Sequence, residues 1–172
     1  MGGRPWARAA AVTSLSNARA QGLPPEMLWG IMRQESAYDP DAVSYADAIG
    51  LLQLLPSTAE RVARGAGVTF RRDMLFDPEW NTRLAASYVR TLVDAHGVPL
   101  AFAAFNAGGH RVDEWLERSG EMDLDLFVEE IPFDQTRGYI RRVTSHYARY
   151  LYLRDPARGW PELELPARVA PR

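Results

Sequence analysis

Glu35 closes an apolar stretch, Pro25-Glu-Met-Leu-Trp-Gly-Ile-Met-Arg-Gln-Glu35, and a polar run, Ser36-Ala-Tyr-Asp-Pro40, follows at once. Met27, Ile31 and Glu35 step by four residues with Leu28 and Met32 alongside, so on a helix the carboxylate lies on the stripe that faces the core. Two effects there disfavour its anion: removal from water and the negative end of the helix dipole. A carboxyl in such a place is expected to hold its proton near neutral pH and to donate it to a leaving oxygen. The bland alternative is a helix-end glutamate paired with a nearby arginine. Asp39, Asp41 and Asp47 are candidate second acids, although Asp39-Pro40 reads more simply as a turn. His96, His110 and His146 lack metal-ligand spacing, so no metal site is expected, and His96 is explained as a cation at a helix C-terminus.

Composition removes several chemistries. The 172 residues are 47% hydrophobic with a formal net charge of -2, which suits one substantial core and argues against nucleic acid as the main partner. Cysteine is absent, so disulfides and thiolate nucleophiles are excluded. All 20 basic residues are arginine, which excludes Schiff-base chemistry and a P-loop lysine. No cofactor is expected. No apolar run is long enough to span a bilayer, and the N-terminus lacks a signal peptide's apolar segment, so membrane contact is not indicated. Trp6, Trp29, Trp80, Trp115 and Trp160 are mostly core candidates.

The elements that must position Glu35 are helical. The pattern predicts helices over 5–21, 25–35, a stretch opened by the capping-box pattern Ser57-Thr-Ala-Glu60, and a long one from Asp77-Pro78 to His96-Gly97. A short, wholly apolar helix follows from Pro99 to Asn106, whose character on all sides marks it as central and buried. Further helices are expected over 112–118 and 134–154, the last capped by Asp134, with an extended or frayed tail from Asp155. No strand alternates over more than a few residues, so the expected class is all-α. The division is an N-terminal helix over 1–22, a main domain over 23–154 and a tail over 155–172.

Four segments lie in order along this background: Gln34-Glu-Ser-Ala-Tyr-Asp-Pro40, Gly50-Leu-Leu-Gln-Leu-Leu-Pro56, Ala103-Ala-Phe-Asn-Ala-Gly108 and Ile131-Pro-Phe-Asp-Gln-Thr-Arg-Gly-Tyr-Ile140. Their order and spacing resemble the catalytic domain of the soluble lytic transglycosylases, over about residues 23–152. The resemblance implies a lysozyme-like all-α fold and cleavage of peptidoglycan glycan strands between N-acetylmuramic acid and N-acetylglucosamine. One glutamate serves as acid and base, and the product is a 1,6-anhydro sugar; Glu35 stands at that position. It also implies substrate-binding roles for Ser44, Gln53, Leu55, Phe105, Asn106, Gln135 and Tyr139. Each polar member has a plain structural alternative: a turn serine, a core amide bonded to backbone, a helix cap, a packed tyrosine.

The chain departs from the family pattern at five positions. Phe105 stands where the family has tyrosine and Gln135 where it has the second glutamate. Leucines at 52 and 55 replace methionines, and Asp47 occupies a position where glycine is common. Phe105 and Gln135 motivate a weakened glycan-binding module as a rival, and a lysozyme-type hydrolase and a purely structural helical domain stand as further alternatives. The substrate implied by the resemblance places the protein in the periplasm or cell envelope.

Overall fold

The computed structural model describes residues 5–171, with side chains described from residue 12 onward; Trp6 lies outside the described side chains. The chain divides after Arg90 into two compact units. Among the described residues there are eight α-helices and one two-stranded sheet, as the all-α reading anticipates.

The first unit contains α1 (Pro5–Ala20), α2 (Pro25–Glu35), α3 (Pro56–Gly65) and most of α4 (Pro78–His96). Proline starts α2, α3 and α4, where its fixed φ suits the first turn and its missing N–H costs no hydrogen bond. At α4 the Asp77 side chain caps the helix, accepting from the amides of Glu79 and Trp80 at 2.8 and 3.1 Å. The α1–α2 pair is linked by Trp29, whose indole N–H donates to Ser14 Oγ at 2.9 Å. Leu28, Ile31 and Met32 of α2 are fully buried, as are Ile49, Leu51, Leu52 and Leu75 of the same unit. This packing, not helix propensity, holds the unit together.

The second unit contains α5 (Leu100–Ala107), α6 (Gly109–Ser119), α7 (Leu124–Glu130) and α8 (Asp134–Arg154). Helix α5 packs on α6 and α8 and buries Leu100 through Ala104, which matches the expected apolar central helix. It ends at Gly108, whose φ of 93° is one that a side chain would resist. The Phe102 ring meets Tyr147 of α8 edge-on. Beyond α8 the tail is ordered: Arg168–Val169 (β2) pairs antiparallel with Met122–Asp123 (β1). Arg168 adds ion pairs to Glu121 and Asp123.

Three local expectations are corrected. The Ser57 capping box does not form: α3 starts one residue earlier at Pro56, with Leu55 at the cap position and no side-chain cap. Asp134 is the first residue of α8, after Phe133 at the cap, and it pairs with Arg137 instead. Asn106 lies inside α5, and Gly108 takes the C-terminal cap. His96 is the last residue of α4, and its buried ring sits 3.5 Å from the Asp113 carboxylate. Of the tryptophans described, Trp115 is buried, Trp29 and Trp80 are half-buried, and Trp160 is exposed against Tyr152.

Candidate active site

In the first unit, the apolar stripe of α2 stays buried through Met32 and becomes half-buried at Glu35, the helix's last residue. The chain then turns sharply. Ser36 closes the helix by donating its amide to the Met32 carbonyl, and Ala37 and Tyr38 both adopt left-handed backbone, with φ of 50° and 72°. Ser36 Oγ reaches across to donate to the Leu51 carbonyl at 2.8 Å. That bond ties the end of α2, with Glu35 on it, to the Gly50-Leu-Leu-Gln segment. Two motifs that stand fifteen positions apart are therefore joined by the serine beside the acid.

The Gly50–Leu54 loop is held from inside. Asn81 of α4 is fully buried; its Oδ1 accepts from the Leu52 amide at 3.0 Å, and its Nδ2 donates to the Ile49 and Leu75 carbonyls at 2.9 Å each. Gly50 is required here. A Cβ at that position would stand 2.2 Å from the Leu75 carbonyl oxygen and 2.4 Å from Asn81 Nδ2, at a φ of 78°. Gln53, also left-handed at φ 46°, donates both amide hydrogens to backbone, to Ala42 and Gly50 at 3.0 Å each. Its NH₂ group thus follows the bland reading and stitches the loop closed.

Ser44 likewise forms a turn. Its Oγ accepts from the Ala48 amide at 3.0 Å while its own amide donates to the Ala48 carbonyl. Asp47 in that turn has φ 65°, the conformation for which glycine is the usual choice and which aspartate tolerates better than most residues. Both its oxygens accept from Arg72, at 2.6 and 2.8 Å, and this hydrogen-bonded guanidinium holds the Asp47 pKa below the ordinary carboxylate value. Asp39 accepts from the Asp41 amide, as a turn residue does. Leu55 is exposed at the start of α3.

The second unit joins the other two motifs. Thr136 Oγ1, almost fully buried, donates to Asn106 Oδ1 at 2.9 Å, so the first turn of α8 is pinned to the end of α5. Asn106 and Gln135 line one pocket of about 460 Å³, with Ala107, Arg111, Pro132, Phe133, Asp134 and Thr136. Gln135 is exposed there, Phe105 is half-buried, and Tyr139 is buried at 3% exposure. Of the residues expected to bind substrate, the structure thus groups Asn106 with Gln135, and separately sets Ser44 and Gln53 in one hydrogen-bonded loop system next to the end of α2. Among the described residues no cluster of acids and histidines could hold a metal ion, and no helix is long and apolar enough to cross a membrane.

Sequence reasoning missed Asn81, Ser36 and Thr136 as organisers. Ser36 and Thr136 sit inside the recognised motifs and were open to notice. Asn81 lies in no motif and carries no local signal of its role.

A family model described as the transglycosylase SLT domain matches residues 13–128. The soluble lytic murein transglycosylase of Escherichia coli is 38% identical over 135 residues, covering 76% of this chain and 21% of that protein. Among solved structures, an inactive glutamate-to-glutamine variant of the lytic transglycosylase Slt from Pseudomonas aeruginosa superposes with a TM-score of 0.78. It is 36% identical and covers 85% of this chain and 24% of that one. The 70-kDa soluble lytic transglycosylase of E. coli gives a TM-score of 0.79 at 33% identity, over 83% of this chain and 24% of that chain. The chain spans about a fifth to a quarter of the length of these relatives.

Proposed function

This chain belongs to the transglycosylase SLT domain family, and from that premise we propose that it is a lytic transglycosylase acting on peptidoglycan, with Glu35 as its sole acid and base. The observation that carries the reading is the setting of Glu35. It is a half-buried carboxyl ending a helix whose other core-facing residues are buried, and the adjacent Ser36 is bonded to the Gly50-Leu-Leu-Gln segment. The solved relative that is inactive as a glutamate-to-glutamine variant supports a glutamate as essential to the chemistry.

In the proposed reaction the Glu35 carboxyl gives its proton to the oxygen linking N-acetylmuramic acid to N-acetylglucosamine as the bond from that oxygen to the anomeric carbon breaks. The substrate's N-acetyl group shares the positive charge that develops. The Glu35 carboxylate then takes the proton of the muramic acid 6-hydroxyl while that oxygen bonds to the anomeric carbon. Glu35 ends protonated, no water is consumed, and the product is the 1,6-anhydro sugar. A nucleophile already inside the substrate supplies the effective concentration that a hydrolase must obtain by positioning water. That is why one carboxyl suffices, and why Asp39, Asp41 and Asp47 are not needed.

The remaining positions are proposed as glycan contacts. Ser44, Gln53 and Leu55 belong to the first unit, and Phe105, Asn106, Gln135 and Tyr139 to the second. Since the NH₂ group of Gln53 is engaged by backbone, its contact is assigned to the amide oxygen. A peptidoglycan substrate supports a location in the periplasm or cell envelope. Purified sacculi incubated with the protein and analysed by mass spectrometry test the reading: anhydro-muropeptides are expected, and none from Glu35→Gln. Reducing-end products would identify a hydrolase instead. A glycan-binding module is favoured only by the missing hydroxyl at Phe105 and the missing charge at Gln135. It would bind sacculi without releasing product, and Glu35→Gln would change nothing.

A further inference from the structure

We propose that the Asn106–Gln135 pocket of the second unit reads a carboxylate on the peptide carried by the glycan, with Arg111 as the cation and Phe133 as its platform. The inference rests on the peptidoglycan reading above and specifies which part of the substrate the pocket takes.

Arg111 projects from the first turn of α6, and its guanidinium lies over the Phe133 ring at 5.3 Å from the ring centre. Its Nη1 contacts the Ala107 carbonyl at 3.4 Å. Among the described residues no carboxylate pairs with it. Asp134, the acid among the residues lining the pocket, is already engaged. Asp134 on the rim is bonded to Arg137, Glu114 one turn along α6 is 3.2 Å from His110, and Asp113 faces the buried His96 ring. The ring itself is fixed, because Phe133 meets the buried Trp115 edge-on at 5.6 Å while staying 44% exposed.

A stacked guanidinium has lost much of its rotational freedom before any ligand arrives, and its planar fork matches a carboxylate in a way that a lysine could not. The neighbouring donors suit the same ligand. The Gln135 amide is exposed in the pocket, and the first turn of α8, a 21-residue helix, opens there with its positive dipole end. With glutamine at 135, an anion approaching Arg111 meets no repulsion from that position. Muramic acid carries its peptide on the lactyl group, and stem peptides bear free carboxylates. An anion site in a glycan-binding unit therefore has a ligand on the substrate itself, and the departure at Gln135 acquires a use.

The test is a binding titration on Glu35→Gln protein, so that turnover cannot obscure the result. The probes are N-acetylmuramyl dipeptide, its fully amidated form and the peptide-free lactyl carboxamide of N-acetylmuramic acid, which carries no carboxylate. Arg111→Gln is expected to weaken muramyl dipeptide binding about tenfold, the usual scale of one charge-assisted pair. It should leave the amidated and peptide-free probes unchanged. Arg111→Lys recovers part of the loss, and Phe133→Leu, which removes the platform, falls between wild type and Arg111→Gln. Circular dichroism checks that each variant is folded. Equal affinity of wild type and Arg111→Gln for the dipeptide overturns the proposal, and so does an equal loss on all three probes. If sacculi yield no anhydro product while carboxylate-dependent binding persists, the catalytic reading fails and the pocket assignment stands.

Discussion

Replacing Asn81 by leucine isolates what holds the Gly50–Leu54 loop. Leucine keeps the four side-chain heavy atoms and the branching of asparagine with bulkier methyls, so the change removes the hydrogen bonds and opens no cavity, and any crowding adds to the loss. Three buried backbone groups lose a partner: the Leu52 amide and the carbonyls of Ile49 and Leu75. They do not lose equally. The Ile49 carbonyl still accepts from the Leu54 amide at 3.2 Å, whereas the Leu52 amide has one hydrogen and only Asn81 to give it to among the described groups. A buried N–H without a partner costs about 2 kcal/mol and a carbonyl about 1 kcal/mol. The expected loss is therefore about 3 to 4 kcal/mol. For a chain of this size each kcal/mol shifts the midpoint by about 3 °C, so thermal unfolding should fall by about 10 °C. Hydrogen exchange gives the sharper assay, since protection of the Leu52 amide should drop by at least about a hundredfold relative to the amides of α5. Leu52 protection that tracks α5 in both proteins would refute the reasoning, whatever happens to the midpoint.

The other expectations can be checked on the same protein. Gly50→Ala places a methyl against the Leu75 carbonyl and Asn81 Nδ2 at a left-handed φ, and should destabilise by at least about 3 kcal/mol in denaturant titration. Thr136→Val removes the bond to Asn106 with little change of shape and should cost about 1 to 2 kcal/mol, seen as a lower unfolding midpoint. Arg72→Ala should raise the Asp47 pKa towards the usual carboxylate range, as followed by NMR titration. Because the folded-state pKa of Asp47 is the lowered one, the pair's contribution is present above about pH 4 and is lost as pH falls through the folded value. Asp47→Asn should therefore narrow the stability difference between neutral and acid pH, and the effect should shrink in high salt.

Helices announced by proline, a polar cap or a terminal glycine were legible in the sequence. The bounds of α2 and α8 agree with those read from it, because Pro24-Pro25 starts one and the apolar periodicity of the other breaks at Asp155. Helix α7 was not legible: seven residues give barely two turns of pattern, and no proline or glycine sets it off from the turn before it. The pairing of Met122–Asp123 with Arg168–Val169 was hidden for a different reason. Two-residue strands have no alternation to read, and their partners lie more than forty positions apart.

The site divides along the same line. Glu35 was found because its helix could be read locally, and the four motifs because their letters match a family. The same letters said little about what each residue does. Ser44 and the NH₂ group of Gln53 are tied to the loop that holds them, while Asn81, outside every motif, supplies the bonds that shape Gly50 to Leu52. Gly50 shows how the two kinds of information meet. Its φ demands glycine, but no side chain fits because the Leu75 carbonyl oxygen and the Asn81 amide nitrogen, twenty-five and thirty-one positions later, would stand 2.2 and 2.4 Å from a Cβ. A motif of this kind is the visible half of a contact, and the other half becomes readable only once the fold has brought it near.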